Sequence, residues 1–297
     1  MRFLDASPHE LALRRAALGM HASAAVLRAL GRVLPRAVQA RWALFVSNYA
    51  HWSAERERLE PDDWDRVTRG VPVLLYHAFG DDNDRYVVSR TAFARQLRML
   101  ALLRFRVRPY AEIARMLRDG RVPPPRTVAL TFDDGYADNA DVAVPLLERH
   151  GFPATIFLVS ARLGADNDWT EEPPLRGRAL LSAEQLAPLR SHRVDFGAHT
   201  RTHPDLTVSD AATDEVASSR TELEAALGLS VPTFAYPYGR VDDRAVAAVR
   251  DAGFESACTT DPRLAQVGDD PLRVPRVEIK RDDSLFTFLR KVWFGGA

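Results

Sequence analysis

Two adjacent carboxylates, Asp133-Asp134, close the apolar run Val128-Ala129-Leu130 and lead into Gly135, which permits a sharp turn. Neighbouring carboxylates repel, so the pair calls for a proton or a cation close by. Further along, His199 and His203 in the stretch HTRTH stand at i and i+4. On a helical turn that spacing brings both imidazoles to one face, where they suit a divalent metal. Two His and one Asp leave coordination positions free for water and substrate, as a catalytic site requires, and the other Asp stays available as a general base. Each feature also has a plain structural reading. Asp-Gly is a common turn, Asp138 can cap a following helix, and eight histidines make a chance pair easy to find.

Position separates these readings. From Val71 onward the chain alternates short apolar runs with amphipathic segments. Expected strands are Val73–Tyr76, Arg104–Val107, Val128–Thr131, Ala154–Val159, Val194–Gly197, Thr233–Tyr236, Ser256–Cys258 and Arg273–Ile279. Helices are expected over Thr91–Leu102, Asn139–His150, Ala183–Arg190, Ser209–Leu227 and Asp243–Ala252. Such alternation means βα units around a parallel sheet. Seven or eight units fit an α/β fold of the distorted (β/α) barrel kind. A doubly wound open sheet would normally show a Gly-rich first turn, and none is present. In a parallel barrel all strands end on one face, so Tyr76-His77, Asp133-Asp134, His199 and Tyr236-Pro237-Tyr238-Gly239 should meet there.

The composition allows a large core and narrows the chemistry. Of 297 residues 46% are hydrophobic, and the formal net charge is zero, which gives no electrostatic case for nucleic acid. The single cysteine, Cys258, excludes a disulfide framework and a Cys-based zinc site, and it reads as a buried, inert thiol. Residues 1–70 differ in character and are expected to form a helical region ahead of a domain at 71–297. Ser7-Pro8-His9-Glu10 has the form of a capping box, and a second helix is expected from Arg36 through Arg56. Residues 1–50 carry seven Arg against Asp5 and Glu10, so these helices either cap the main domain or contact an anionic membrane or a protein partner. Trp42, Trp52 and Trp64 read as packing residues. The longest early uncharged run, Ala16 to Leu27, falls short of the roughly 20 apolar residues that span a bilayer. With no secretory signal read either, a cytoplasmic location is expected, although a fragment of an exported enzyme would look the same.

TFDDG at 131–135, HTRTH at 199–203 and YPYG at 236–239 together resemble the motifs of the polysaccharide deacetylase family, which contains the NodB homology domain. PVLLYH at 72–77, HGFPATIFLV at 150–159, LSAEQL at 181–186 and AGFESACTT at 252–260 fit the same style, and the resemblance runs from about Val71 to Phe288. It implies a metal-dependent hydrolase that removes N-acetyl groups from amino sugars or glycans. By motif position Asp134, His199 and His203 would bind the metal, zinc for preference, with cobalt, nickel or iron also suited. Asp133 would be the general base, and Tyr238 would offer its backbone N–H to the oxyanion. The family usually takes its catalytic acid from a late His, but no His follows His203. The opening Leu74-Leu75-Tyr76-His77 resembles the circularly permuted poly-N-acetylglucosamine deacetylases, which makes His77 the acid. Tyr236, Trp169 and Arg276 are expected on the substrate side. The third motif departs from the family where Ala235 replaces an Arg that helps hold the base, and Arg276 could supply that guanidinium from another strand. Two other readings remain: a glycan-binding module that no longer turns over, and a deacetylase acting on acetyl esters or small amides.

Overall fold

The computed structural model describes residues 70–170 and 175–296. The helices expected before residue 70, and Trp42, Trp52 and Trp64, lie outside the described residues.

The strand that opens the fold, β1 (Val73–Tyr76), is followed by β2 (Ala78–Phe79) and β3 (Val87–Val88). Next comes α1 (Arg90–Leu102), started by Ser89, whose hydroxyl accepts the Ala92 N–H. After β4 (Arg106–Val107) the segment α2 (Tyr110–Arg118) and β5 (Thr127–Phe132) follow. The helix expected over Asn139–His150 is divided into a wide π turn, Asn139–Ala143, and α3 (Val144–Glu148). Pro145 has no N–H to continue the regular ladder, which accounts for the widened turn ahead of it.

Beyond β6 (Ala154–Leu158), α4 (Ala183–Ser191) opens with a capping box of Ser182 and Gln185. β7 (Val194–Ala198), α5 (Ala212–Leu227), β8 (Thr233–Ala235) and α6 (Asp243–Asp251) continue the alternation. It ends with β9 (Ser256–Cys258), β10 (Val277–Glu278) and α7 (Leu285–Phe294).

The main sheet is parallel throughout, in the order β10-β1-β5-β6-β7-β8-β9, with β4 also paired to β5. Its two ends approach each other, because Val274, just ahead of β10, forms a parallel bridge with Cys258 of β9. The strand expected over Arg273–Ile279 is therefore shared: its first part pairs with one end of the sheet and its second with the other. Pro275, which lacks a donor, sits between. This curled parallel sheet is the expected α/β barrel architecture.

The period of two along each strand sorts the core. Val73, Ala129, Phe157, Ala235 and Cys258 form one cluster with Tyr110, Ile113, Ala114 and Leu117 of α2. Leu74, Leu130, Ile156, Phe196 and Phe234 point the other way, into the larger core with α1, α3, α4, α5, α6 and α7. One face of α2 thus packs against the inward-facing residues of the curl. Its apolar residues keep the spacing i, i+3, i+4, i+7, although no helix was expected there.

The register sets the site. Tyr76 pairs with Phe132, Phe132 with Ile156, Leu158 with Ala198, and Ala198 with Phe234. The residues just past these ends emerge along one rim. Among the described residues no helix is long and apolar enough to cross a membrane.

Gly197 marks a close approach inside the curl, since a Cβ there would lie 2.4 Å from the Phe157 ring and 2.7 Å from Thr233 Oγ1. Gly197→Ala is expected to lower stability by about 1–3 kcal/mol through overpacking. Urea denaturation measures this; an unchanged midpoint would show that the neighbours give way freely.

Candidate active site

The strand period that places Ala129 inside the curl also places Thr131 and Asp133 there, while the turn after β5 takes Asp134 to the rim. Asp134 and Gly135 both have left-handed backbone, each at φ 72°. Only the second is a glycine, and a Cβ on it would meet Leu158 at 2.7 Å. Asp134 is 6% exposed, and its Oδ1 is buried without a hydrogen-bond partner.

His199 follows β7 directly, and its N–H bonds the Leu158 carbonyl at 2.8 Å. Its Nδ1 lies 2.7 Å from the Ala235 carbonyl oxygen. A carbonyl can only accept, so Nδ1 carries the proton and a neutral ring has its Nε2 lone pair free. Residues 199–203 are not the helical turn expected from their spacing. Thr200 and His203 both adopt left-handed backbone, at φ 64° and 68°, and the His203 N–H is held by Thr200 Oγ1 at 2.9 Å. Each such residue costs about 1–3 kcal/mol and persists only where its surroundings impose it.

The loop nevertheless brings the two imidazoles together. Nε2 of His203 lies 3.2 Å from Nε2 of His199, and Asp134 Oδ1 lies 3.5 Å from the first-numbered His and 3.3 Å from the second. A tetrahedral ion bound at about 2.0–2.1 Å to each donor separates its ligand atoms by about 3.3 Å. Three buried donors at this spacing, one of them an unpartnered carboxylate oxygen, fit a divalent cation. Burial pushes the His203 pKa down and the ring toward the neutral, ligating form. For His199 burial acts the same way, but the charges of Asp133 and Asp134 outweigh it and the pKa rises.

Asp133 has a separate counter-charge. Both its oxygens accept from Arg276, Oδ1 from Nη1 and Oδ2 from Nη2, each at 2.6 Å. Arg276 is fully buried; its Nε donates to the Thr259 carbonyl at 3.0 Å, and Nη1 also reaches Thr131 Oγ1 at 3.4 Å. This forked pairing is one a Lys could not reproduce. Burial alone would raise the Asp133 pKa, but Arg276, with His199 and His77, more than offsets it and holds the carboxyl below its usual value. Asp134 behaves likewise: the effect of burial is outweighed by its contacts with His199 and His203.

Asp134 and His203 open onto a cleft of about 690 Å³ that His77, Trp169 and Tyr238 also line. His77 is half-buried, with its Nδ1 unpartnered and its ring 4.8 Å from that of Tyr86. Trp169 stacks on His203 at 4.8 Å and 25°, and Tyr238 meets the same ring edge-on at 4.8 Å and 76°. Tyr238 is left-handed at φ 59° within the turn Pro237–Gly239, and its side chain is 51% exposed.

Several expectations are corrected. Tyr236 does not face a substrate: it is fully buried, and its hydroxyl donates to the Leu272 carbonyl at 3.0 Å. Arg276 is equally enclosed, so it grips Asp133 rather than a substrate and supplies the guanidinium that Ala235 lacks. Asp138 stands at the N-cap of the turn Asn139–Ala143, but its side chain makes no cap hydrogen bond; it accepts the Phe79 N–H at 2.7 Å and Arg178 Nε at 2.7 Å. Cys258 is buried as expected, its thiol pushed up to about 12 by desolvation.

Other participants were missed. Tyr136 is fully buried at the cleft, and its hydroxyl accepts from Asn167 Nδ2 at 2.7 Å. It stands next to the TFDDG motif and was visible there as a Tyr one position beyond Gly135. Asn139 donates to the His77 carbonyl at 2.9 Å, and Glu215 receives amides from the loop between the histidines. Neither carried a sequence signal beyond its polarity.

Comparison with known proteins places this constellation. Residues 120–257 match the family described as Polysaccharide deacetylase. YxkH of Bacillus subtilis is 26% identical over 211 residues, which cover 70% of this chain and 71% of that protein. The poly-beta-1,6-N-acetyl-D-glucosamine N-deacetylase of Staphylococcus epidermidis is 25% identical over 221 residues, covering 71% and 73%. The structure of IcaB from Ammonifex degensii superposes with a TM-score of 0.66 at 27% identity, covering 74% of this chain and 95% of that one. The family resemblance read from the motifs therefore stands: the chain is similar, in sequence and in fold, to polysaccharide deacetylases, the poly-N-acetylglucosamine enzymes among them.

Removing the guanidinium would leave a buried carboxylate unpaired. Arg276→Ala is expected to lower stability by about 3–5 kcal/mol, measured by urea denaturation. A loss below about 1 kcal/mol would show that Asp133 finds water or a proton at little cost.

Proposed function

We propose that this chain is a divalent-metal-dependent deacetylase that hydrolyses the N-acetyl group of an N-acetylated amino sugar, within a β-linked N-acetylglucosamine glycan. The observation that carries this reading is the partnerless Asp134 Oδ1 between two imidazole nitrogens, beside a second carboxylate kept anionic by Arg276. The substrate class is taken from the Staphylococcus epidermidis relative, named for its action on poly-beta-1,6-N-acetyl-D-glucosamine. Residues 71–297 would form the deacetylase domain.

Asp134, His199 and His203 would hold the ion, with zinc suited to this donor set and cobalt, nickel or iron able to replace it. When bound, such an ion would lower the pKa of water and polarise the acetyl carbonyl by a positive charge beside its oxygen. Asp133 takes the proton of the attacking water. Its two oxygens each accept one guanidinium N–H, and a carboxylate offers about four lone-pair sites, so capacity remains for that proton. The same forked grip prevents the carboxylate from rotating away. The Tyr238 backbone N–H stabilises the oxyanion, and the strained turn around it holds that amide in a fixed orientation. An amine is a poor leaving group, and His77, whose side chain lines the cleft, protonates it. Trp169 and Tyr238 flank His203 as aromatic walls for a sugar ring.

A binding module without turnover rested on Ala235 in the third motif and on the absence of a late His; the Arg276 pairing answers the first, and His77 at the cleft is the acid proposed for the second. Ester and amide acetyl groups pass through similar tetrahedral intermediates, so the preference between them is a matter for assay.

Acetate release from N-acetylglucosamine oligomers and acetyl esters should depend on zinc or cobalt added to chelator-stripped protein. Asp133→Asn should lower kcat by about 10²–10⁴-fold, as loss of a general base does. Release that ignores the chelator, or an Asn variant as active as the parent, would overturn the assignment.

A further inference from the structure

The backbone amides of the loop between the two histidines are held from outside by one carboxylate. Glu215 lies in the first turn of α5 and is 9% exposed. Its Oε2 accepts two consecutive backbone amides, from Arg201 at 2.9 Å and Thr202 at 2.8 Å, and its Oε1 accepts the Thr202 hydroxyl at 2.6 Å. Successive N–H groups beside a left-handed residue form a concave anion site, and Thr200 is that residue here. The opposite side of the loop is bonded too: the carbonyls of Thr200 and Arg201 accept from Ser160 and Ala161 at 3.2 and 3.0 Å. The loop is therefore clamped between the segment after β6 and the start of α5. His203, itself left-handed, leaves the clamp with its Nε2 at 3.2 Å from that of His199.

We infer that Glu215 is a positioning residue for the metal donors: its carboxylate fixes the 200–202 loop so that His203 meets His199 and Asp134 at ligating distance. The inference rests on the metal-dependent reading of the site. A carboxylate in the first turn of a helix also favours the helix dipole. That role alone would affect folding and leave the ion affinity of the folded protein unchanged, because the three donors would still converge.

The test titrates cobalt(II) into the chelator-stripped full chain and into Glu215→Gln, Glu215→Ala and Thr202→Val, against a chromophoric competitor. Visible absorption is recorded at saturation, and metal-free melting is measured in parallel. Loss of an outer-shell partner costs about 10–100-fold in metal affinity, and both Glu215 variants should show a loss of that order with an altered cobalt spectrum. Thr202→Val, which removes one bond of the three, should show a smaller loss in the same direction. If the Ala variant fails to fold, the Gln variant, which keeps one acceptor oxygen, and the Val variant carry the comparison. Folded variants that bind cobalt as tightly as the parent, with the same spectrum, would overturn the role of Glu215. A parent protein that binds no cobalt would instead defeat the metal-dependent reading on which it rests.

Discussion

The fully buried pair of Arg276 and Asp133 decides the charge state of everything around it. Two carboxylates side by side in a protein interior are tolerable only if each has a counter-charge. Arg276 neutralises Asp133 through two hydrogen bonds and donates its Nε–H to the Thr259 carbonyl. That leaves Asp134 with two imidazoles, which are neutral when they ligate, and one oxygen without a partner. A divalent cation resolves this imbalance. The pair also joins the start of the last strand, β10, to the rim of β5, so the sheet that positions the site is fastened through the site.

Much of the fold was legible because parallel strands buried on both faces read as continuous apolar runs. PVLLYH, TVALTF and ATIFL all became strands near their expected bounds. The chemistry at their ends was legible for the same reason, since the residue after an apolar run in such a sheet falls on one face. What the pattern does not encode is direction. Tyr236 lies one position past β8 and seemed placed for substrate, yet strand alternation turns it into the core beside Phe234. Helix α2 has a clear apolar stripe, but nothing local says that it packs against the inward-facing residues of the curl.

The least legible contacts join residues far apart in the chain. Arg276 reaches Asp133 across 143 positions, and a surface arginine would have read the same way. The histidine loop posed a different difficulty. The i, i+4 spacing suggested a helical turn, whereas the donors converge through two left-handed residues. That conformation depends on Glu215 and on the backbone after β6, which no local rule takes into account. Trp169 and Tyr238, on loops, take their places only through contact with His203. Loop aromatics around a fixed set of donors are where relatives sharing this architecture can differ in the glycan they accept.

The most direct test of the account is anomalous diffraction at the zinc absorption edge from crystals of the full chain grown with zinc. The account predicts one strong peak bounded by Asp134, His199 and His203, with Asp133 still paired to Arg276 beside it. A chain that binds zinc elsewhere, or shows no peak among these three side chains, would contradict it.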